Sequence, residues 1–230
     1  MTGDKFPQPR HADMVIKVCG MKDPANIRNV ASLHPMLMGF IFHHPSPRDA
    51  SGLDPEVVKS LPEYIRPVGV FVNRTDDEII FTASRYGITR VQLHGSESPR
   101  QCARLRALGY KVLKAISIGD EVDWEEYRPY EGCVDLFVLD KKTPAHGGSG
   151  EKFDWSLLDG YPLGVRYLLG GGIGPDDVDA IVAAMRPGLA GIDINSCFET
   201  SPGVKDLRKL VKFILSLRIY NENEPNRIII

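Results

Sequence analysis

Short apolar runs recur along the chain, separated by longer stretches in which apolar residues follow a helical period. Eight runs have the length and β-branched content of buried strands, and they cover residues 15–19, 38–42, 68–72, 89–93, 111–116, 136–139, 166–169 and 191–194. Strands that alternate with helices at a spacing of roughly 20 to 30 residues are typical of repeated βα units. The pattern therefore predicts a parallel sheet whose outer face is covered by helices.

The segments between the strands contain helix start signals. Asp23-Pro24 and Asp54-Pro55 each place an N-cap before a proline at the first helical position, and Thr75 with Glu78 has the spacing of a capping box. Residues 124–130 are short and aromatic and give the weakest helical signal. The predicted helices cover residues 25–33, 55–61, 79–86, 98–108, 175–185 and 204–217.

Eight βα units in about 200 residues fit a closed (β/α)8 barrel, the TIM barrel of the α/β class. We expect a single domain over residues 15–218, preceded by a polar N-terminal arm, 1–14, and followed by a C-terminal tail, 219–230. An open, doubly wound sheet is the alternative. No GxGxxG sequence follows the first strand, so a dinucleotide-binding fold has little support.

The composition argues against several kinds of partner. A net charge of -2 and a pI of about 6.3 provide no general basic surface for nucleic acid or anionic membranes. Four cysteines lie far apart without a CxxC pair, and no apolar run approaches the ~20 residues that span a bilayer. The N-terminal arm lacks the apolar centre of a signal peptide. We therefore expect a cytoplasmic protein with reduced thiols.

Reactive side chains stand where the predicted strands end. The sixth strand stops at Asp140 and runs towards a Gly-rich loop at 147–150, which suits a catalytic rim, although a capped strand before an exposed linker would look the same. The carboxyl ends of barrel strands meet on one face, so the other strand ends add to this rim. They carry Cys19, Arg48, Asn73, His94, the glycines 170–172 and the stretch 193–196.

Two of these ends predict a phosphate site. Glycines 170–172 follow the seventh strand, and Asn195-Ser196 follows the eighth. Glycines let backbone N–H groups approach an anion closely, and barrels commonly hold a phosphate after strands seven and eight. The alternative is that the glycines only make a tight turn.

The side chains of the other ends allow two interpretations each. Cys19 shares the inner face of its strand with Lys17, and a nearby cation favours the thiolate, but a buried cysteine is often an inert apolar residue. Arg48 presents the donors for a carboxylate or is a plain surface arginine. His94 contacts a ligand or is a hydrogen-bonded rim histidine.

Read together, these stretches resemble the phosphoribosylanthranilate isomerase family. The resemblance covers about residues 15 to 215 in order, and the ordered set of motifs is far more specific than any one of them. The motifs are Lys17-Val-Cys-Gly20, Ser46-Pro-Arg48, Val91-Gln-Leu-His-Gly95, Leu139-Asp140, Gly171-Gly-Ile173, Gly191-Ile-Asp-Ile-Asn-Ser196 and Ser201-Pro-Gly-Val-Lys205.

The resemblance implies an Amadori rearrangement in L-tryptophan biosynthesis. N-(5-phosphoribosyl)anthranilate would become 1-(2-carboxyphenylamino)-1-deoxyribulose 5-phosphate, with Cys19 as general base and Asp140 as general acid, and without a metal or other cofactor. A bell-shaped pH profile would follow, its acid limb set by Cys19 and its basic limb by Asp140. The small phosphorylated substrate would be bound by Arg48 at its carboxylate, by Gly171, Gly172, Asn195 and Ser196 at its phosphate, and by His94 and Asp193.

Three positions depart from the usual family pattern. Pro45 stands where a lysine usually precedes the Ser-Pro-Arg motif, Lys141 replaces a serine or threonine after the acid, and Cys197 replaces a frequent arginine. The alternatives are a catalytically silent relative that still binds phosphate, an indoleglycerol-phosphate synthase or a sugar-phosphate epimerase. A monomer and a homodimer are both compatible with the sequence.

Overall fold

A computed structural model describes residues 14–141 and 152–223, with side chains to residue 218. Its centre is a closed barrel of eight parallel strands in chain order, in which β8 pairs with β1 and places Val15 opposite Gly191. The predicted (β/α)8 barrel is confirmed, and the open sheet is wrong. The strands are β1 Val15–Val18, β2 Leu37–Ile41, β3 Arg66–Phe71, β4 Arg90–Leu93, β5 Lys111–Ile118, β6 Leu136–Lys141, β7 Tyr167–Leu169 and β8 Leu189–Ile194.

Several helices around the barrel begin at the caps that the sequence predicts. Asp23 and Asp54 accept backbone N–H bonds as N-caps before prolines, and Thr75 with Glu78 forms the predicted capping box. Each cap satisfies amide groups that have no partner inside the helix. The helices are α1 Pro24–Ala31, α2 Pro55–Lys59, α3 Asp76–Tyr86, α4 Pro99–Ala107, α5 Val178–Ala183 and α6 Leu207–Asn223.

The last predicted helix differs most from the structure. Val204–Lys205, predicted as the start of this helix, instead forms β10, which pairs in an antiparallel hairpin with β9, Glu199–Ser201, and α6 starts only at Leu207. Pro202-Gly203 explains the difference, since proline and glycine form turns more readily than helices. α6 continues to Asn223, beyond the predicted end of the barrel domain at residue 218.

Some connections differ from the predicted helices in helix type or in length. Trp124–Tyr130 and Trp155–Leu158 are 3₁₀ helices, and α5 covers only part of the predicted 175–185 helix. The arm 1–13, the predicted Gly-rich loop at 147–150 and the tail 224–230 lie outside the described residues. No helix in the described ranges is long and apolar enough to cross a membrane.

Two apolar clusters fill the structure. The larger lies between barrel and helices, and the smaller contains side chains from seven of the strands. Because those strands surround it, the smaller cluster fills the barrel interior and closes its floor. Its members are Val15, Leu37, Val68, Leu113, Leu136, Val138, Leu168 and Ala190.

A buried ion pair braces the loops after β3 and β4. Lys114 Nζ lies 3.3 Å from Glu97 Oε2, and both residues are 3% exposed. Glu97 also accepts the backbone N–H groups of Asn73 and Gly95, each at 2.8 Å. The pair therefore holds two rim loops together from beneath.

Replacing Lys114 by methionine should destabilise the fold strongly. Glu97 would be left as a buried, unpaired carboxylate, which costs about 3–5 kcal/mol of unfolding free energy. Urea denaturation of Lys114→Met measures this loss. Lys59→Met, which breaks an exposed pair with Glu56, is the matched control and should change stability by about 1 kcal/mol or less. Equal small effects in both variants would contradict the bracing role.

Candidate active site

The carboxyl ends of the strands surround a cavity of about 520 Å³. Nearly every side chain predicted for the rim lines it, which agrees with the meeting of parallel strand ends on one face of a barrel. Pro45 and Cys197, two of the departures from the family pattern, line it as well. The predicted residues in its wall are Cys19, Arg48, His94, Asp140, Gly171, Gly172, Asp193, Asn195 and Ser196.

Cys19 lies beside a buried ion pair. Lys17, on the same face of β1, is fully buried, and its ammonium contacts both the Cys19 thiol and the carboxylate of Asp193 on β8, the latter at 2.8 Å. Gly39 on β2 provides room for the thiol, because a β-carbon there would lie 2.6 Å from Cys19 Sγ. The predicted pairing of Lys17 with Cys19 is therefore present.

The thiol is nevertheless harder to ionise than a free cysteine. Burial raises the pKa of Cys19, and the nearby Asp193 carboxylate adds to this, while Lys17 acts in the opposite direction. The sequence predicts that Lys17 favours the thiolate. The direction of its influence is right, but desolvation outweighs it.

Asp140, at the end of β6, has the opposite perturbation for a carboxyl group. Burial and the negative charge of Asp193 raise the pKa of Asp140 to about 6, against the effects of Lys17 and of a 2.9 Å hydrogen bond from the Lys141 backbone N–H. Gly171 allows its own loop to pack closely against the end of β6, because its φ is +74° and a β-carbon there would lie 2.6 Å from the Lys141 nitrogen. About one tenth of the Asp140 carboxyl groups are therefore protonated at pH 7.

His94 links Asp140 to a residue that sequence reasoning did not select. His94 Nε2 lies 3.7 Å from Asp140 Oδ2, and its Nδ1 lies 3.2 Å from the amide nitrogen of Gln92. Among the described residues, Gln92 Oε1 and Asp193 Oδ1 are buried without a hydrogen-bond partner, and both residues line the cavity. Their oxygens can accept hydrogen bonds from ligand hydroxyls. The Val91-Gln-Leu-His-Gly95 stretch was the available signal for Gln92.

Arg48 faces the cavity but is already paired with a residue that sequence reasoning missed. Its Nε and Nη2 atoms hydrogen-bond to the Glu199 carboxylate at 2.8–3.0 Å. Glu199 in turn accepts from Lys205 Nζ at 2.7 Å. The sequence places Lys205 in the first turn of the last predicted helix, so it does not predict the hairpin in which Glu199 and Lys205 flank the turn at Pro202-Gly203.

The other rim positions divide into two groups. Gly171 and Gly172 adopt positive φ, as a tight turn requires, and Cys197 Sγ lies 3.7 Å from the Gly172 oxygen. Asn73 has a structural role instead: its side chain accepts from the Ser96 backbone N–H at 2.7 Å. Asn73 therefore braces the loop after β4, and it is absent from the cavity wall.

Comparison with known proteins gives a consistent result. The family model for N-(5'phosphoribosyl)anthranilate (PRA) isomerase matches residues 16–216. N-(5'-phosphoribosyl)anthranilate isomerase of Parabacteroides distasonis is 46% identical over 203 residues, covering 87% of this chain and 92% of the relative. The Phocaeicola vulgatus protein of the same name is 40% identical, covering 89% and 98%.

Solved structures show the same similarity in three dimensions. Phosphoribosyl anthranilate isomerase of Thermotoga maritima aligns with a TM-score of 0.78 at 31% identity, covering 90% of this chain and all of that one. A structure of the isomerase in complex with reduced 1-(o-carboxyphenylamino)-1-deoxyribulose 5-phosphate aligns with a TM-score of 0.76 at 28% identity, covering 90% and 99%.

Replacing Asp193 by asparagine should lower the pKa of Asp140 below about 6, because one of the causes that raise it is removed. Carbon-13 NMR titration of the Asp140 carboxyl group measures the change. Ser156→Ala, in the 3₁₀ segment Trp155–Leu158 outside the cavity wall, serves as the control and should leave the titration unchanged. An Asp140 pKa that stays at about 6 in Asp193→Asn would contradict this account of the site.

Proposed function

The chain belongs to the family of phosphoribosylanthranilate isomerases, which are enzymes of tryptophan biosynthesis. We propose that Cys19 is the general base of this enzyme and Asp140 its general acid. The observation that carries this proposal is the pair itself, a thiol and a carboxyl group with raised pKa values on the wall of one cavity. Family membership favours this activity over those of an indoleglycerol-phosphate synthase or a sugar-phosphate epimerase.

The first step is opening of the ribose ring. The anilino nitrogen donates its electron pair to C1′, the bond from C1′ to the ring oxygen breaks, and Asp140 delivers its proton to that oxygen. A proton donor is required because an alkoxide is a poor leaving group in water. The raised pKa of Asp140, about 6, leaves roughly one tenth of the carboxyl group protonated at pH 7.

The second step moves a proton away from C2′. The Cys19 thiolate removes the C2′ proton of the iminium ion, the electron pair forms the C1′–C2′ double bond, and the nitrogen becomes neutral. The resulting enol then tautomerises to the ketone. General acid and general base catalysis are each worth roughly 10²–10⁴-fold in rate. Lys17, in contact with Cys19, stabilises the thiolate at the moment it is needed.

The remaining cavity residues fit the charged ends of the substrate. Arg48 binds the anthranilate carboxylate, and Gly171, Gly172, Asn195 and Ser196 bind the phosphate. His94 and Asp193 bind the sugar portion, where Gln92 joins them through its buried, unpartnered oxygen. Cys197 adds no positive charge, so phosphate binding relies on backbone N–H groups and hydroxyls.

Assembly and location stay predictions. The phosphoribosylanthranilate isomerase of Thermotoga maritima is described as dimeric, whereas this chain is proposed to be a monomer or a homodimer in the cytoplasm. Sedimentation measures the assembly directly.

Cys19→Ala and Asp140→Asn should each lower kcat by roughly 10²-fold or more, since each removes one proton-transfer group. Steady-state turnover of N-(5'-phosphoribosyl)anthranilate measures the loss, and circular dichroism checks the fold. Cys133→Ala, outside the cavity wall, is the matched control and should keep wild-type turnover. A wild-type kcat in Asp140→Asn would contradict the assignment of Asp140 as general acid. An inactive wild-type protein would indicate instead a catalytically silent relative that only binds phosphate.

The pH profile of kcat/KM should be bell-shaped, with limbs opposite to the sequence-based assignment. Asp140 titrates at about 6 and Cys19 above its ordinary 9.0, so activity should rise through the Asp140 pKa and fall through the Cys19 pKa. Between these two pKa values the active form, in which Asp140 is protonated and Cys19 is a thiolate, is a small minority of the enzyme. Asp193→Asn should move the acid limb to lower pH. An unmoved acid limb would refute the assignment.

A further inference from the structure

Arg48 is held by a carboxylate that the mechanism does not use. The pairing is side-on: Nε bonds both Glu199 oxygens at 3.0 Å, and Nη2 bonds one of them at 2.8 Å. Both side chains are largely buried, at 13% and 6% exposed. A guanidinium has five N–H donors, so this pairing leaves the end-on N–H groups of Nη1 and Nη2 for a ligand.

Glu199 is itself fixed on its other side. Lys205 Nζ, fully buried, donates to Glu199 Oε1 at 2.7 Å and to Asn195 Oδ1 at 2.6 Å. Asn26 on α1 anchors the Lys205 backbone through hydrogen bonds of 2.8 and 2.9 Å. The Glu199 carboxylate therefore has one orientation, set by the hairpin and by α1.

The charge balance keeps this cluster suited to an anion. Arg48 and Lys205 contribute two positive charges and Glu199 one negative charge, which leaves a net charge of +1. A lone glutamate beside Arg48 would repel a carboxylate ligand, and Lys205 offsets that repulsion. The pairing thus orients the guanidinium without cancelling its attraction for an anion.

We propose that Glu199 is a positioning residue that holds Arg48 with its end-on N–H pair facing the aromatic carboxylate of the substrate. This inference rests on the proposed function, because it takes Arg48 as the carboxylate-binding group. Its physical basis is preorganisation: a side chain already held in the binding rotamer loses little freedom when the ligand arrives. If the Arg48 side chain were mobile before binding and lost this freedom only when the ligand arrived, the affinity would be about tenfold weaker.

The test compares two ligands that differ only in the carboxylate. One is reduced 1-(o-carboxyphenylamino)-1-deoxyribulose 5-phosphate, and the other is its phenylamino counterpart without the carboxyl group. Calorimetry on Glu199→Gln should show about tenfold weaker binding of the first ligand and unchanged binding of the second. The kcat should stay within about threefold of wild type, because a carboxylate clamp acts on ground and transition state alike.

A double-mutant cycle separates positioning from general stability. Arg48→Ala should weaken the carboxylated ligand more than Glu199→Gln does, and adding Glu199→Gln to Arg48→Ala should change nothing further. In Glu199→Asp the side chain is too short to reach the guanidinium group, so this variant should bind the ligands as Glu199→Gln does. It replaces Glu199→Gln in the test if Glu199→Gln folds poorly. Glu56→Gln, which loses an exposed ion pair, is the matched control and should behave as wild type.

The outcomes are distinguishable. Equal weakening of both ligands, or additive effects in the cycle, would overturn the positioning role while leaving the isomerase assignment intact. A wild-type protein that binds neither ligand and turns over no substrate would contradict the proposed function instead.

Discussion

The ion pair between Lys17 and Asp193 is the interaction on which the site depends. It joins β1 to β8, the two strands that close the barrel, and it places one positive and one negative charge beneath the cavity. Asp193 raises the pKa of Asp140 on β6, and Lys17 contacts the thiol of Cys19. The same ion pair therefore both connects the strands that close the barrel and influences the pKa values of the proposed acid and base. Such a buried pair is costly to desolvate, and here its charges act on both the proposed acid and the proposed base.

Burial acts in the same direction on the acid and on the base, with opposite consequences for catalysis. It disfavours charge, so it helps Asp140 to keep its proton and hinders Cys19 from losing one. The proposed enzyme would work through a rare protonation state that is intrinsically reactive. The charges that offset this cost lie within the barrel itself, on Lys17 next to the thiol.

A second charge network supports the substrate-binding side of the cavity. Arg48, Glu199 and Lys205 connect the loop after β2 to the β9–β10 hairpin, and Lys205 continues to Asn195 at the end of β8. The proposed carboxylate and phosphate ends of the site thereby share one rigid support. The Lys114–Glu97 pair plays the comparable role beneath His94, from β5. Buried, fully paired charges thus replace apolar packing at the rim.

The sequence by itself determined the barrel, its strand order and most of the cavity wall. Apolar periodicity and caps such as Asp23-Pro24 are local signals, and once eight parallel strands close, their carboxyl ends must meet, which brings Cys19 and Asp140 to one cavity. Only the tertiary structure decided what surrounds them. Arg48 and Glu199 are 151 positions apart, and Lys17 and Asp193 are 176 positions apart, so no local sequence pattern predicts either ion pair. Desolvation likewise depends on the assembled barrel, which is why the raised pKa of Cys19 could not be read from Lys17 alone.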